Sequence, residues 1–172
     1  MRKILPVLLA LVIVVGCASE PKEFKSEAGN FSVMTPVTME ETTNNEITAL
    51  GTIVNHKFGG ENRSAAYVVM YFDFPPSVPI ESKVEEVLAG CRDAEIAGLK
   101  GTRTSEKSIK VDGAPGNEFT FTGVISGTNF DAKARMFVVG KRFFYIVALN
   151  KENKATAEQV DNFLNSFKLL KK

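Results

Sequence analysis

Tryptophan is missing from this 172-residue chain, histidine occurs once and cysteine twice. With His56 as the sole imidazole, any Ser–His–Asp or Cys–His relay has to run through it, and no nucleophile motif lies near it in sequence. No His/Cys pair has the spacing of zinc ligands. Glycine-rich phosphate cradles are absent as well: Gly113-Ala114-Pro115-Gly116 lacks the Lys and Ser/Thr that complete a P-loop, and reads instead as a tight connection. Glu40, Glu41 and Glu46, or Asp73 with Asp131, could offer oxygens to calcium, but no loop has the EF-hand pattern. No metal or cofactor is expected. Charge of one sign is also lacking, with 21 basic and 20 acidic side chains. That balance excludes the electrostatic footprint of a nucleic-acid binder and a polybasic membrane patch.

Long hydrophobic runs are scarce too, and the one present is short. Ile4 to Gly16 is 13 residues of almost unbroken apolar character. Spanning a hydrocarbon core takes ~20 residues, and Pro6 weakens the stretch as a helix. Preceded by Met1-Arg2-Lys3 and closed by Val14-Val15-Gly16-Cys17, it has the plan of a secretory signal. The small residues followed by Cys17 resemble the lipobox of bacterial lipoproteins. That resemblance implies cleavage before Cys17, a diacylglycerol on its sulfur, acylation of the new terminus, and anchorage in the cell envelope. Residues 1–16 are then the signal peptide, 17–29 the lipidated cysteine with a polar tether, and 30–172 a single domain. Ala18 stands where an aspartate would favour inner-membrane retention. In a cell with two membranes this implies the outer membrane facing the periplasm, and otherwise the outer face of the plasma membrane. Without Arg2 and Lys3 the charge is 19 basic against 20 acidic. Cys91 is left without an internal partner.

Along the domain, period-two patterns predominate. Strands are expected over 30–36, 49–58 (Leu50, Val54 and Phe58 on one side), 65–74, 102–111, 117–125, 130–139 and 142–149. Residues 37–48 are polar and are expected to loop. The 65–74 stretch is apolar at alternate positions on both faces: Tyr67, Val69 and Tyr71 on one, Ala66, Val68, Met70 and Phe72 on the other. It therefore needs cover on both sides and belongs inside a sheet. The 102–111 stretch is polar and reads as an edge. Phe119, Phe121 and Ile125 are expected inward.

A first helix follows Pro79, opened by a Ser82-to-Glu85 capping box, with Val84, Val87, Leu88, Cys91 and Ala94 as its apolar stripe. Cys91 is thus expected to be packed. A second helix carries Val160, Phe163, Leu164 and Phe167, with a Thr156-to-Gln159 capping box and Lys168, Lys171 and Lys172 at its end. The pattern predicts an α+β fold, a three-layer α/β/α sandwich around a six-to-seven-stranded antiparallel sheet.

Several phrases, NFSVMTP at 30–36, YFDFP at 71–75, DGAPGNEF at 112–119, ARMFVVGKRFFYIVAL at 134–149 and FLNSFKL at 163–169, resemble the Mog/PsbP-like superfamily and its PsbP-related bacterial lipoproteins. Members include a photosystem subunit, a partner of a small nuclear GTPase and envelope lipoproteins. The resemblance implies the same antiparallel sheet between helices and service as a non-catalytic binding or assembly module.

The functional expectation is accordingly an envelope protein held to the membrane by Cys17, bound to another envelope protein, and not an enzyme. A carrier of a small apolar ligand or lipid is the alternative, and a hydrolase using His56 a third. Candidate partner-binding residues are Phe74, Pro75, Pro76, Val78, Pro79 and Ile80, an apolar loop, with Lys141 and Arg142 in a hairpin turn. The loop could equally fold over the sheet edge. Arg92 and Asp93 are expected on a solvated face.

Overall fold

The computed structural model describes residues 20–48 and 51–170. Ten strands and two helices follow in order: β1 (Lys22–Ser26), β2 (Phe31–Thr35), β3 (Glu40–Thr48), β4 (Gly51–Glu61), β5 (Ala65–Asp73), α1 (Val84–Gly98), β6 (Thr102–Val111), β7 (Ala114–Ile125), β8 (Thr128–Val139), β9 (Arg142–Lys151), α2 (Ala157–Ser166) and β10 (Lys168–Leu169). A seven-stranded sheet has the order β3-β4-β5-β9-β8-β7-β6, and every pairing in it is antiparallel. A second sheet has the order β1-β2-β10. No described helix is long and apolar enough to cross a membrane.

Turn chemistry explains the meander. Asp112-Gly113 and Ser126-Gly127 both take positive φ at their two central residues, as the favoured two-residue hairpin turn requires. Strand β5 lies inside the sheet and is apolar on both faces, as its pattern demands. Tyr67, Val69 and Tyr71 face one core, where Phe31, Val160, Phe163 and Leu164 also lie. Phe72, with half-buried Val68 and Met70, faces the other, where Leu88, Ile96, Phe119 and Phe121 lie. One face is thus covered by α1, and the opposite face by α2 together with the small sheet. This corrects the expected pure α/β/α sandwich. Its second outer layer is part sheet, because the phenylalanines of β1 and β2 pack there directly. Phe24 lies 5.4 Å from Phe58, and Phe31 stacks on Phe167 at 5.4 Å.

The small sheet also draws part of the 17–29 stretch into the fold. Lys22–Ser26 pairs with β2 in five-residue register and inserts Phe24. Residues 40–48, expected to loop, form β3. No apolar alternation signals it because it buries almost nothing; backbone pairing with β4 makes the strand. Val54 and Ile125 stay exposed because β4 and β7 run on past their covering layers, and Ile53 points inward instead of Val54.

Helix α2 has the expected capping box: Thr156 Oγ1 accepts from the Gln159 N–H, and Gln159 Oε1 accepts from the Thr156 N–H. Helix α1 does not. A 3-10 turn over Ile80–Ser82 precedes it, Ser82 Oγ donates to Pro79 O, and Lys83 at the N-cap offers no side-chain acceptor. Lys168 sits in β10, and Leu50, Lys171 and Lys172 lie outside the described residues.

Candidate interaction surface

Antiparallel order places the end of β5, the start of β9 and the first half of β4 at one end of the large sheet. Arg142 organises that corner. Its Nε and Nη2 each lie 2.7 Å from an Asp73 carboxylate oxygen, a two-pronged pair. Its Nη1 donates to the carbonyls of Ala28 at 3.0 Å and Gly29 at 3.2 Å, which close the turn between β1 and β2. The guanidinium carbon sits 4.4 Å from the centre of the Tyr71 ring. His56 stacks on Tyr71 with 4.6 Å between ring centres, and its Nδ1 lies 3.3 Å from Glu41 Oε1. His56 is thus held between the Tyr71 ring and the Glu41 carboxylate. Its ring makes no hydrogen bond to a hydroxyl or thiol among the described residues, and Cys91 belongs to the opposite face of the sheet.

The expected apolar loop reaches the same corner but lies inward. Phe74 and Ile80 are core residues, with Phe74 edge-on to Phe72 at 4.9 Å, and Val78 is half-buried. Pro76, Ser77 and Pro79 remain exposed, and Pro75 partly so. Lys141 ties the loop down: its Nζ donates to Val78 O and lies 3.5 Å from Glu81 Oε1, while its carbonyl accepts from the Phe74 N–H at 2.8 Å. The sequence-predicted loop and hairpin turn are thus neighbours, joined by hydrogen bonds. Of the two expectations for 74–80, the loop takes the one that folds over the sheet edge, as a packed flap with a proline rim.

The exposed apolar groups at this corner are elsewhere. Residues 51–55 of β4 extend beyond the register of β5, so β3 and β4 project as a two-stranded arm. Ile53 braces the arm against the second core, whereas Ile47 is 89% exposed and Val54 41% exposed. Strand β1 leads away from the Arg142 corner, so Glu20 enters the fold ~17 Å off. There it borders an open groove of about 820 Å³ with Asn62, Thr156, Gln159, Asn162 and Asn165 in its lining. Pro21, Met34, Pro36 and Phe163 line it as well, so the groove offers apolar and polar contacts side by side.

The backbone matches cyanobacterial PsbP from Synechocystis, solved in solution, with a TM-score of 0.57 at 12% identity, covering 94% of this chain and 98% of that one. The fold is PsbP-like. A protein of unknown function from Pseudomonas aeruginosa matches with a TM-score of 0.43 at 10% identity, covering 78% of this chain and 85% of that one. No protein-family model matches the sequence, and neither does any curated protein.

Within the PsbP-like frame, charged groups that sequence reasoning passed over hold the helices in place. Arg92 of α1, expected in solvent, is buried between its helix and the sheet, pairing with Glu106 of β6 and with exposed Asp93. Arg103 joins Glu106 at 2.6 Å, and Asn117 Nδ2 donates to Glu106 at 2.9 Å. On the opposite face Glu118 is buried among Lys107, Lys133 and Arg135. Burial alone would raise its pKa. Hydrogen bonds from Lys107 and Arg135, aided by the charges of Arg135 and Lys133, outweigh that and hold it below the ordinary value. Arg135 also donates to Leu164 O and Asn165 Oδ1, which pins the end of α2. Glu95 is the reverse case. Burial raises its pKa despite a hydrogen bond from the Tyr145 hydroxyl. Cys91 is packed as expected, and burial pushes its thiol up to about 11.

Apart from Arg92–Asp93 and Arg103–Glu106, which are near neighbours in sequence, these pairs join separate elements and carry no local sequence signal. The proposed calcium donors are dispersed. Asp73 and Asp131 face opposite ends of β9, at Arg142 and Asn150. No cluster of three or more candidate ligands occurs among the described residues. Cys17 and residues 1–16 lie outside them.

Proposed function

We propose that this chain is a lipid-anchored envelope protein that binds or assembles with another envelope protein and catalyses no reaction. The lipobox-like Val14-Val15-Gly16-Cys17 supports the anchor, with the lipid on Cys17 and, where two membranes exist, the outer membrane as its place. The observation that carries the binding reading is the projecting arm. It displays Ile47 and Val54 beside a rigid Tyr71–Arg142 corner, at the end of the sheet remote from where Glu20 joins β1. A tether at Glu20 would hold that corner away from the bilayer, toward other proteins. Exposed aliphatic groups on a braced arm, beside a corner fixed by Arg142, give a partner apolar area to bury.

A photo-crosslinker placed at Ile47 in intact cells tests this directly. A specific protein adduct at Ile47 that is absent at a position lining the Glu20 groove supports the reading; adducts with abundant porins alone overturn it. Mass spectrometry of the processed terminus checks the anchor, which an unacylated Cys17 would exclude.

A further inference from the structure

The open edge of β3 carries more information than its polar sequence suggests. A sheet edge presents unpaired N–H and C=O groups, and proteins normally blunt it with bulges, proline, lysine, short length or a covering element. The other free edges here are treated that way. Strand β6 carries a bulge between Arg103 and Ser105, bears Arg103, Lys107 and Lys110, and lies under α1. Strand β1 has five residues, two of them Lys22 and Lys25. Strand β3 has nine residues, no proline, no basic residue and an uninterrupted register against β4.

The phase of the ladder shows which groups are open. The Asn62 N–H bonds Ala65 O at 2.9 Å, so that pair is hydrogen-bonded, and alternation makes His56–Tyr71, Phe58–Val69 and Gly60–Tyr67 the bonded pairs of β4 with β5. The odd residues of β4 therefore bond β3, through Gly59–Glu40, Lys57–Thr42, Asn55–Asn44 and Ile53–Glu46. It follows that Glu41, Thr43, Asn45 and Ile47 turn their N–H and C=O outward. No described backbone group meets them.

Charge then selects the occupant. Glu40, Glu41 and Glu46 lie along this strand with no Lys or Arg paired to any of them; Glu41 meets the His56 ring and Glu46 accepts from Asn55. A second copy of β3 would set three more carboxylates against these. A strand bearing Lys or Arg would complement them.

We propose that the edge of β3 takes an added strand from a protein partner, an extended basic segment. This rests on the binding-module reading and names the chemistry of its partner. The main chain supplies the attachment, and lysine or arginine beside the three glutamates sets selectivity.

The test uses the full chain as its host processes it, held in detergent, and a nine-residue peptide of alternating lysine and threonine matched to the length of β3. Amide hydrogen exchange is read residue by residue. The amides of Glu41, Thr43, Asn45 and Ile47 should exchange freely without peptide and gain at least about tenfold protection with it, while Thr42 and Asn44 are protected throughout. A peptide of alternating glutamate and threonine should protect none of them. T43P should keep the thermal transition and abolish the gain at Asn45 and Ile47, because it removes an outward N–H and no ladder bond. The wild-type exchange pattern decides even if that variant fails to fold. Equal protection by both peptides, or no gain with the basic one, overturns the proposal. So does prior protection of the odd amides, whether in a dimer that places a second copy there or in a monomer. A crosslinked partner at Ile47 combined with no edge protection would leave the binding-module reading standing and remove this one.

Discussion

Arg142→Ala is the most informative perturbation of the candidate corner. The Asp73 pair is half in water, since the Asp73 side chain is 55% exposed, so it should contribute only ~0.5–1 kcal/mol. The two carbonyls of the β1–β2 turn share one charged donor, and losing it should cost ~1.5 kcal/mol. Contact with the Tyr71 ring adds ~0.5–1 kcal/mol. These terms share one side chain and do not simply add, so the expected loss is ~2–3 kcal/mol. Arg142→Lys keeps the charge but not the fork, and should cost about half as much. Asp73→Asn removes only the screened pair and should cost ~1 kcal/mol or less. Urea unfolding with unchanged slope measures all three. Arg142→Lys matching Arg142→Ala, or Asp73→Asn as damaging as either, would refute the idea that the turn carbonyls carry the largest share of the energy.

Three further outcomes follow from the buried groups. Glu118→Gln should destabilise by ~1–2 kcal/mol in the same assay, because it weakens the charged hydrogen bonds from Arg135 and Lys107, while the part-exposed Lys133 keeps Asp161. The folded pKa of Glu118 lies below its ordinary 4.5, so its contribution is full above that value and fades as pH falls through the lower folded one; the variant should show a flatter acid limb of stability against pH. Cys91, pushed up to about 11 from an ordinary 9.0, should be alkylated roughly a hundredfold more slowly than a free thiol at neutral pH; rapid labelling of the folded protein would show that it is not packed. Gly60→Ala puts a methyl 2.1 Å from Thr38 O, a backbone atom that cannot swing away, and should lower stability by ~2 kcal/mol or more in a thermal melt.

Sequence and structure agree most closely where burial dictates residue choice. Tyr67, Val69 and Tyr71 alternating with Val68, Met70 and Phe72 require an internal strand. The Thr156–Gln159 box with Val160, Phe163 and Leu164 requires a helix end and a buried face, and the polar 102–111 run requires an edge. The same logic was blind to β3 and β1. A strand that buries nothing has no hydrophobic period, and Lys22–Ser26 is held by a partner strand and by Phe58, distant in sequence. The capping box expected at Ser82 failed because the flap before it winds into a 3-10 turn that takes the hydroxyl for Pro79.

By itself, then, the order of residues determined which segments must be buried, where the chain turns, and the signal-like start that ends at Cys17. Those properties depend on neighbours within one or two turns of chain. Only the tertiary structure decided that Arg142 meets Asp73 and the 28–29 carbonyls, that Phe74 and Ile80 turn inward, and that β3 is the outermost of the described strands at one side of the large sheet. Each of these depends on which strands become neighbours, and that outcome is settled by how two cores share one sheet rather than by any local pattern.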